Sequence, residues 1–135
     1  PPEALTNAIK WEVFTTQTSV AINNGKGHFT LTALPVEAQV SSTYGMLVED
    51  FNKDGVLDLL LAGNFFQAKP ELGINAGSFG LVLEGIGKGK FKPLNTRQSG
   101  FWVKGAVRDI KSLKSGQRKI ILVAKNDDWL ETFVY

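Results

Sequence analysis

Cysteine is absent from this 135-residue chain. No disulfide framework and no thiol chemistry can be built from it, and the absence is compatible with any compartment. Histidine occurs once, at His28, so a Ser-His-Asp triad would have to use that residue. No apolar run approaches the roughly 18 residues that mark a membrane span. Charge of one sign is scarce too: 15 basic against 13 acidic residues leave a net charge of +2. The chain begins Pro1-Pro2-Glu3, with no initiator Met and no secretory signal. It reads as a processed form, or as a piece of something longer. Apolar residues at 43% and charged residues at 21% are ordinary for a soluble globular protein. At this length, one domain with a real core is expected.

The richest stretch is Asp50-Phe51-Asn52-Lys53-Asp54-Gly55-Val56-Leu57-Asp58. Asp50, Asn52, Asp54 and Asp58 offer side-chain oxygens at positions 1, 3, 5 and 9, and Gly55 stands at position 6. A hard cation, Ca²⁺ above all, takes six to eight oxygen ligands in an irregular shell. Gly at the sixth position permits the backbone reversal that gathers ligands round one centre. An EF-hand would also need flanking helices and a bidentate Glu at position 12. Position 12 is Leu61, and both flanks are short apolar runs of strand type. The pattern predicts strand, cation loop, strand. Asp, Asn and Gly are also ordinary turn residues, but the full spacing favours the metal.

The chain repeats itself. Gly25-Lys26-Gly27-His28-Phe29 returns as Gly87-Lys88-Gly89-Lys90-Phe91, each after an apolar strand. Val48-Glu49-Asp50 resembles Val107-Arg108-Asp109, and Leu59-Leu60-Leu61-Ala62 resembles Ile120-Ile121-Leu122-Val123-Ala124. Repeats of this period, made of four short strands, predict an all-β chain of four-stranded antiparallel β-propeller blades. One complete blade spans 44–95, with strands near 45–50, 57–64, 79–84 and 90–94. Residues 11–36 supply the outer strands of a preceding blade, and 101–135 about three strands of a following one. That makes about two blades, a partial propeller. Residues 1–10 form a leader, with room for one short turn over 2–10. The second copy of the loop region, Asp109 to Gly116, keeps one carboxylate and gains cations, so a single metal loop is predicted.

This constellation resembles the FG-GAP, or VCBS, repeat family of β-propellers, found also in integrin α-subunit heads. The resemblance is carried by Tyr44-Gly45, the loop Asp50 to Asp58, Leu59 to Asn64, Phe79-Gly80-Leu81-Val82-Leu83 and the Gly-Lys-Gly-Lys-Phe turn. It covers residues 11 to 135, and the final segment resembles the end of large secreted bacterial propeller proteins. The resemblance implies that Asp50, Asn52, Asp54, Asp58 and the carbonyl of Val56 hold one Ca²⁺. Tyr44 stands where the motif has Phe, and Ala62-Gly63-Asn64 where it has Gly-Ala-Pro; neither change touches a ligand. Propellers of this kind have about seven blades and close as a ring, so two blades imply either a longer chain or a homo-oligomer covering the open edges.

Other candidates read as structural. Gly85, Gly87 and Gly89 lack phosphate-loop spacing and form a hairpin turn. Glu49 and Asp50, like Asp127 and Asp128, are adjacent, and strand neighbours point to opposite faces. The basic clusters at Lys88, Lys90 and Lys92 and at Arg108, Lys111, Lys114, Arg118 and Lys119 read as solvated turns and strand edges rather than a surface for nucleic acid or anionic glycan. Trp11, Trp102 and Trp129 fit gaps between blades better than a sugar platform. The connection from Phe65 to Ser78 is long enough to be a binding loop. The expectation is a non-catalytic, calcium-stabilised segment of an extracellular, periplasmic or cell-surface protein, binding protein or glycan. The alternative is the non-catalytic part of a propeller lyase or hydrolase whose active site lies in other blades.

Overall fold

The computed structural model describes residues 7–135, and the expected leader turn lies largely outside them. The fold is all-β. Among the described residues, nine strands form three separate antiparallel sheets, none of them closed. The first sheet pairs β1 (Ser19–Asn23) with β2 (Phe29–Ala33). The second is a sequential meander of β3 (Thr43–Glu49), β4 (Asp58–Gly63), β5 (Leu81–Gly85) and β6 (Phe91–Leu94). The third holds β7 (Val107–Ser115), β8 (Arg118–Lys125) and β9 (Glu131–Val134).

The repeated Gly-rich turns fold alike. Asn24 N–H donates to His28 O at 3.0 Å, and Ile86 N–H donates to Lys90 O at 3.0 Å. Gly27 and Gly89 both take positive φ, 81° and 69°, which β-branched or bulky residues resist.

Alternation of apolar residues explains how the sheets stack. Strand side chains point to opposite faces in turn. On β4, Leu59 and Leu61 join Leu34, Ala38 and Leu83 in the layer shared with the first sheet. Leu60 and Ala62 join Val107, Ile110, Ile121 and Val123 in the layer shared with the third. β4 is therefore covered on both faces, and every one of its residues is buried. The run Ile120 to Ala124 lies on β8, the central strand of its sheet. Its core side is Ile121 and Val123, while its other face is only partly covered.

Two findings differ from the sequence expectation. The segment from Asp109 to Gly116 is not a degraded loop. It is strand β7, closed by a tight turn that sets Ser115 opposite Arg118. A short helix, α1 (Thr96–Ser99), also intervenes after β6. Asn95 caps it: its side chain accepts from Gln98 N–H while Gln98 Oε1 accepts from Asn95 N–H, each at 3.0 Å.

The second and third sheets meet where β3 passes β7. A Cβ built on Gly45 would stand 2.7 Å from Ile110 Cγ1. Gly45→Ala is expected to destabilise the protein by about 1–3 kcal/mol through overpacking. Ile110→Ala is expected to cost about 2–5 kcal/mol by cavity formation. The double variant should cost clearly less than the sum, because truncating Ile110 makes room for the new methyl. Urea denaturation of the four proteins checks this; strict additivity would show that the two strands do not meet there.

Candidate metal loop and its surroundings

The nine-residue stretch connects β3 to β4. Its turn is built by its own side chains. Asp50 Oδ1 accepts from Asp54 N–H at 3.1 Å, and Asp50 Oδ2 accepts from Gly55 N–H at 2.9 Å. Asn52 Oδ1 also accepts from Asp54 N–H, at 2.9 Å. Asp54 Oδ1 accepts from Val56 N–H at 2.7 Å. These bonds require two left-handed residues, Lys53 (φ 64°) and Gly55 (φ 86°). Short polar side chains that bond nearby backbone N–H groups make such turns.

Asp58 differs from the other three. It is 2% exposed, against the exposed loop tip. Its Oδ2 accepts from Phe51 N–H at 2.9 Å and its Oδ1 from Gly85 N–H at 2.8 Å. A buried carboxylate is tolerated when such charge-assisted bonds satisfy it. Asp58 thus ties the start of the loop to the end of β5. The close approach leaves no room for a side chain at Gly85, whose Cβ would lie 2.2 Å from Leu57 O.

The donor set suits a hard cation in kind, since every group that Asp50, Asn52, Asp54, Asp58 and the Val56 carbonyl can offer is oxygen. Each carboxylate oxygen named above accepts a single N–H and retains acceptor capacity. Among the described residues, however, no group of three or more His, Cys, Asp or Glu side chains is gathered as a metal cage. The structure brings Asp50, Asn52 and Asp54 together around the turn and commits Asp58 to the backbone at its base.

Glu49 and Asp50 do point apart. Glu49 leaves β3 toward the third sheet, where it bonds Ser112, Lys119 and Tyr135, with Lys119 Nζ at 2.6 Å. Burial opposes ionisation of Glu49, but these three donors outweigh it and hold its pKa at about 2. Burial, together with the Glu49 carboxylate, pushes the Tyr135 phenol up from its usual range. Phe51 packs edge-on against Tyr135 with ring centres 5.1 Å apart.

At the far end of β4 stands Asn64, which sequence reasoning passed over. It is 3% exposed with φ 86°. Its amide donates to Ser78 O at 2.7 Å and Gly105 O at 3.0 Å. Its Oδ1 accepts from Ser41 Oγ–H at 2.8 Å and Ser78 N–H at 2.9 Å. An Asn directly after a strand-ending Gly was the available signal, because Asn is enriched at positive φ. The Phe65 to Ser78 connection is anchored by this residue and by the Phe65–Asn75 bridge.

Two readings of single residues are corrected. Trp11 and Trp129 are each 88% exposed and fill no gap between sheets. Arg108 is not a solvated edge cation. Its guanidinium lies 4.5 Å from the Tyr44 ring centre and donates to Asn64 O at 3.0 Å. Lys119 and Lys111 likewise have partners, Glu49 and Asp109. His28 is exposed at a turn, as its repeated setting implied. A mainly apolar groove of about 460 Å³ lies between the second and third sheets, next to Asn52 and Tyr135.

No family model, curated protein or solved structure matches this chain.

Asp58→Asn should cost about 1–3 kcal/mol in the presence of chelator, because one buried N–H loses its acceptor. Asp54→Ala under the same conditions should stay within about 0.5 kcal/mol, since its exposed site is remade by water. Urea melts in EDTA check both, and equal effects would refute the separate role of Asp58. Acid titration provides a second test. The folded pKa of Glu49 lies below its unperturbed 4.5, so its contribution is full above that value and is lost as pH falls through about 2. Glu49→Gln should flatten the fall in stability over that window, read by urea midpoints against pH.

Proposed function

We propose that this chain is a non-catalytic, calcium-stabilised β-propeller segment of a secreted or cell-surface protein, of the FG-GAP or VCBS repeat type. Its role is structural or adhesive, through binding of protein or glycan. The observation that carries this reading is the β3–β4 connection, where Asp50, Asn52, Asp54 and Asp58 place oxygens at loop positions 1, 3, 5 and 9 about a glycine reversal. Supporting it are the sequential order of the second sheet, the matching Gly-rich turns and the passage of β3 beside β7. In a propeller these sheets are blades, and β3 and β7 are neighbouring inner strands. The open sheets imply completion by further chain or by other copies of this one.

Asp50, Asn52, Asp54, Asp58 and the Val56 carbonyl would hold the ion. Bound there, Ca²⁺ supplies charge neutralisation and a cross-link between two strands. It requires no reaction. A site present only in the folded chain stabilises it by mass action, about 2.7 kcal/mol at one hundred times Kd. Extracellular Ca²⁺ is millimolar, which suits a single loop of modest affinity. No helix among the described residues is long and apolar enough to cross a membrane.

Calcium in the millimolar range should therefore raise the melting temperature of the chain, and EDTA should reverse the rise. Asp54→Ala should abolish the calcium response while leaving the EDTA curve close to wild type. Differential scanning calorimetry with and without Ca²⁺ checks this. An unmoved wild-type curve would refute the metal.

A further inference from the structure

The strand ends remote from the Asp50–Asp58 loop carry a second set of chemistry-bearing side chains. Tyr44 and Arg108 are the extra residues of two β-bulges, one between Thr43 and Gly45 on β3, the other between Val107 and Asp109 on β7. Bulges re-aim side chains and recur beside binding sites. Here they bring the Arg108 guanidinium over the Tyr44 ring. Phe79 and Trp102 stack with ring centres 5.8 Å apart and planes 8° apart. Lys104 Nζ lies 4.8 Å from the Trp102 ring centre.

Asn64 links the backbone segments that carry the two stacks. Its carbonyl accepts from Arg108, and its amide donates to Ser78 O and Gly105 O. Those residues immediately precede Phe79 and follow Lys104. Tyr44 and Phe79 are each 47% exposed and Trp102 is 43% exposed. Among the described residues, neither Lys104 nor Arg108 has a carboxylate partner. The adjacent Asp109 is engaged by Lys111 at 3.0 Å.

Three half-exposed rings interleaved with two cations define the chemistry of a ligand. The rings offer apolar faces, and the cations favour an anion on the same molecule. A uronic acid meets both demands: one face of the pyranose is lined by C–H groups, and its edge carries a carboxylate. Nucleic acid fits less well, because the net charge of +2 supplies no extended basic stripe. We propose that this surface binds an acidic saccharide chain, with sugar faces against Phe79 and Tyr44 and carboxylates toward Lys104 and Arg108. The proposal rests on the binding role given above and supplies its ligand class.

The test uses the 135-residue chain carrying W11F and W129F, so that Trp102 is the one remaining indole reporter. Hyaluronan oligosaccharides, which contain glucuronate, should change its emission saturably. Neutral dextran should not. Phe79→Ala and Lys104→Glu should each weaken binding by about tenfold, the loss expected for one packing or charge-assisted contact. Lys104 is exposed, so K104E reads the site even if F79A fails to fold. Absence of hyaluronan binding overturns the proposal, as does affinity unmoved by K104E. Equal binding of polyglutamate or single-stranded DNA overturns it in favour of unselective charge attraction. A calcium-dependent melting shift without saccharide binding defeats this inference alone; saccharide binding without the shift defeats only the metal.

Discussion

The constraint on which the rest depends is the complete burial of β4. A strand buried on both faces can hold only apolar side chains along its length, and Leu59 to Ala62 meet that demand. Its ends must still connect to polar backbone, and there the chain uses Asp58 and Asn64. Each is buried and each has hydrogen-bond partners, so neither leaves an orphaned group to destabilise the core. Asp58 fixes where the β3–β4 loop starts and where β5 ends. Asn64 fixes where the long connection returns and where the third sheet docks. The register of the second sheet follows from these two anchors, because a one-residue slip would drive a charge or an amide into apolar surroundings.

The two ends of β4 have correspondingly different character. At one end, oxygen-bearing side chains fold back on their own loop, and Glu49 reaches across to Lys119, Ser112 and Tyr135. At the other, aromatic rings alternate with cations. Both ends also join the second sheet to the third. The apolar layer between those sheets is therefore flanked above and below by polar ties, which limits sliding of one sheet over the other.

Much of the strand layout was legible because it rests on local signals. Apolar runs bounded by Gly or Asn located β3, β4, β5 and β8, and the Gly-Lys-Gly repeat located the turns. The expectation of an all-β chain with antiparallel sheets agrees with the fold. The capping box of Asn95 and Gln98 was equally visible in sequence, though it went unread. The cation loop was legible as a pattern, but the burial of Asp58 was not. That burial depends on Gly85 N–H, brought near by tertiary packing. Asn64 was hidden for the same reason, since its partners at Ser41, Ser78 and Gly105 are far apart in the chain. The tryptophans misled because side-chain size suggests a core position, while exposure is decided by neighbours the pattern does not reveal.

The paired bulges have a further consequence. They occur near the starts of two neighbouring strands, one presenting Tyr44 and the other Arg108. Were both positions identical, two guanidiniums would repel or two phenols would meet without a charge. The unlike pair is complementary only in this arrangement. The Arg108–Tyr44 contact thereby favours this pairing of strands over one that presents like side chains.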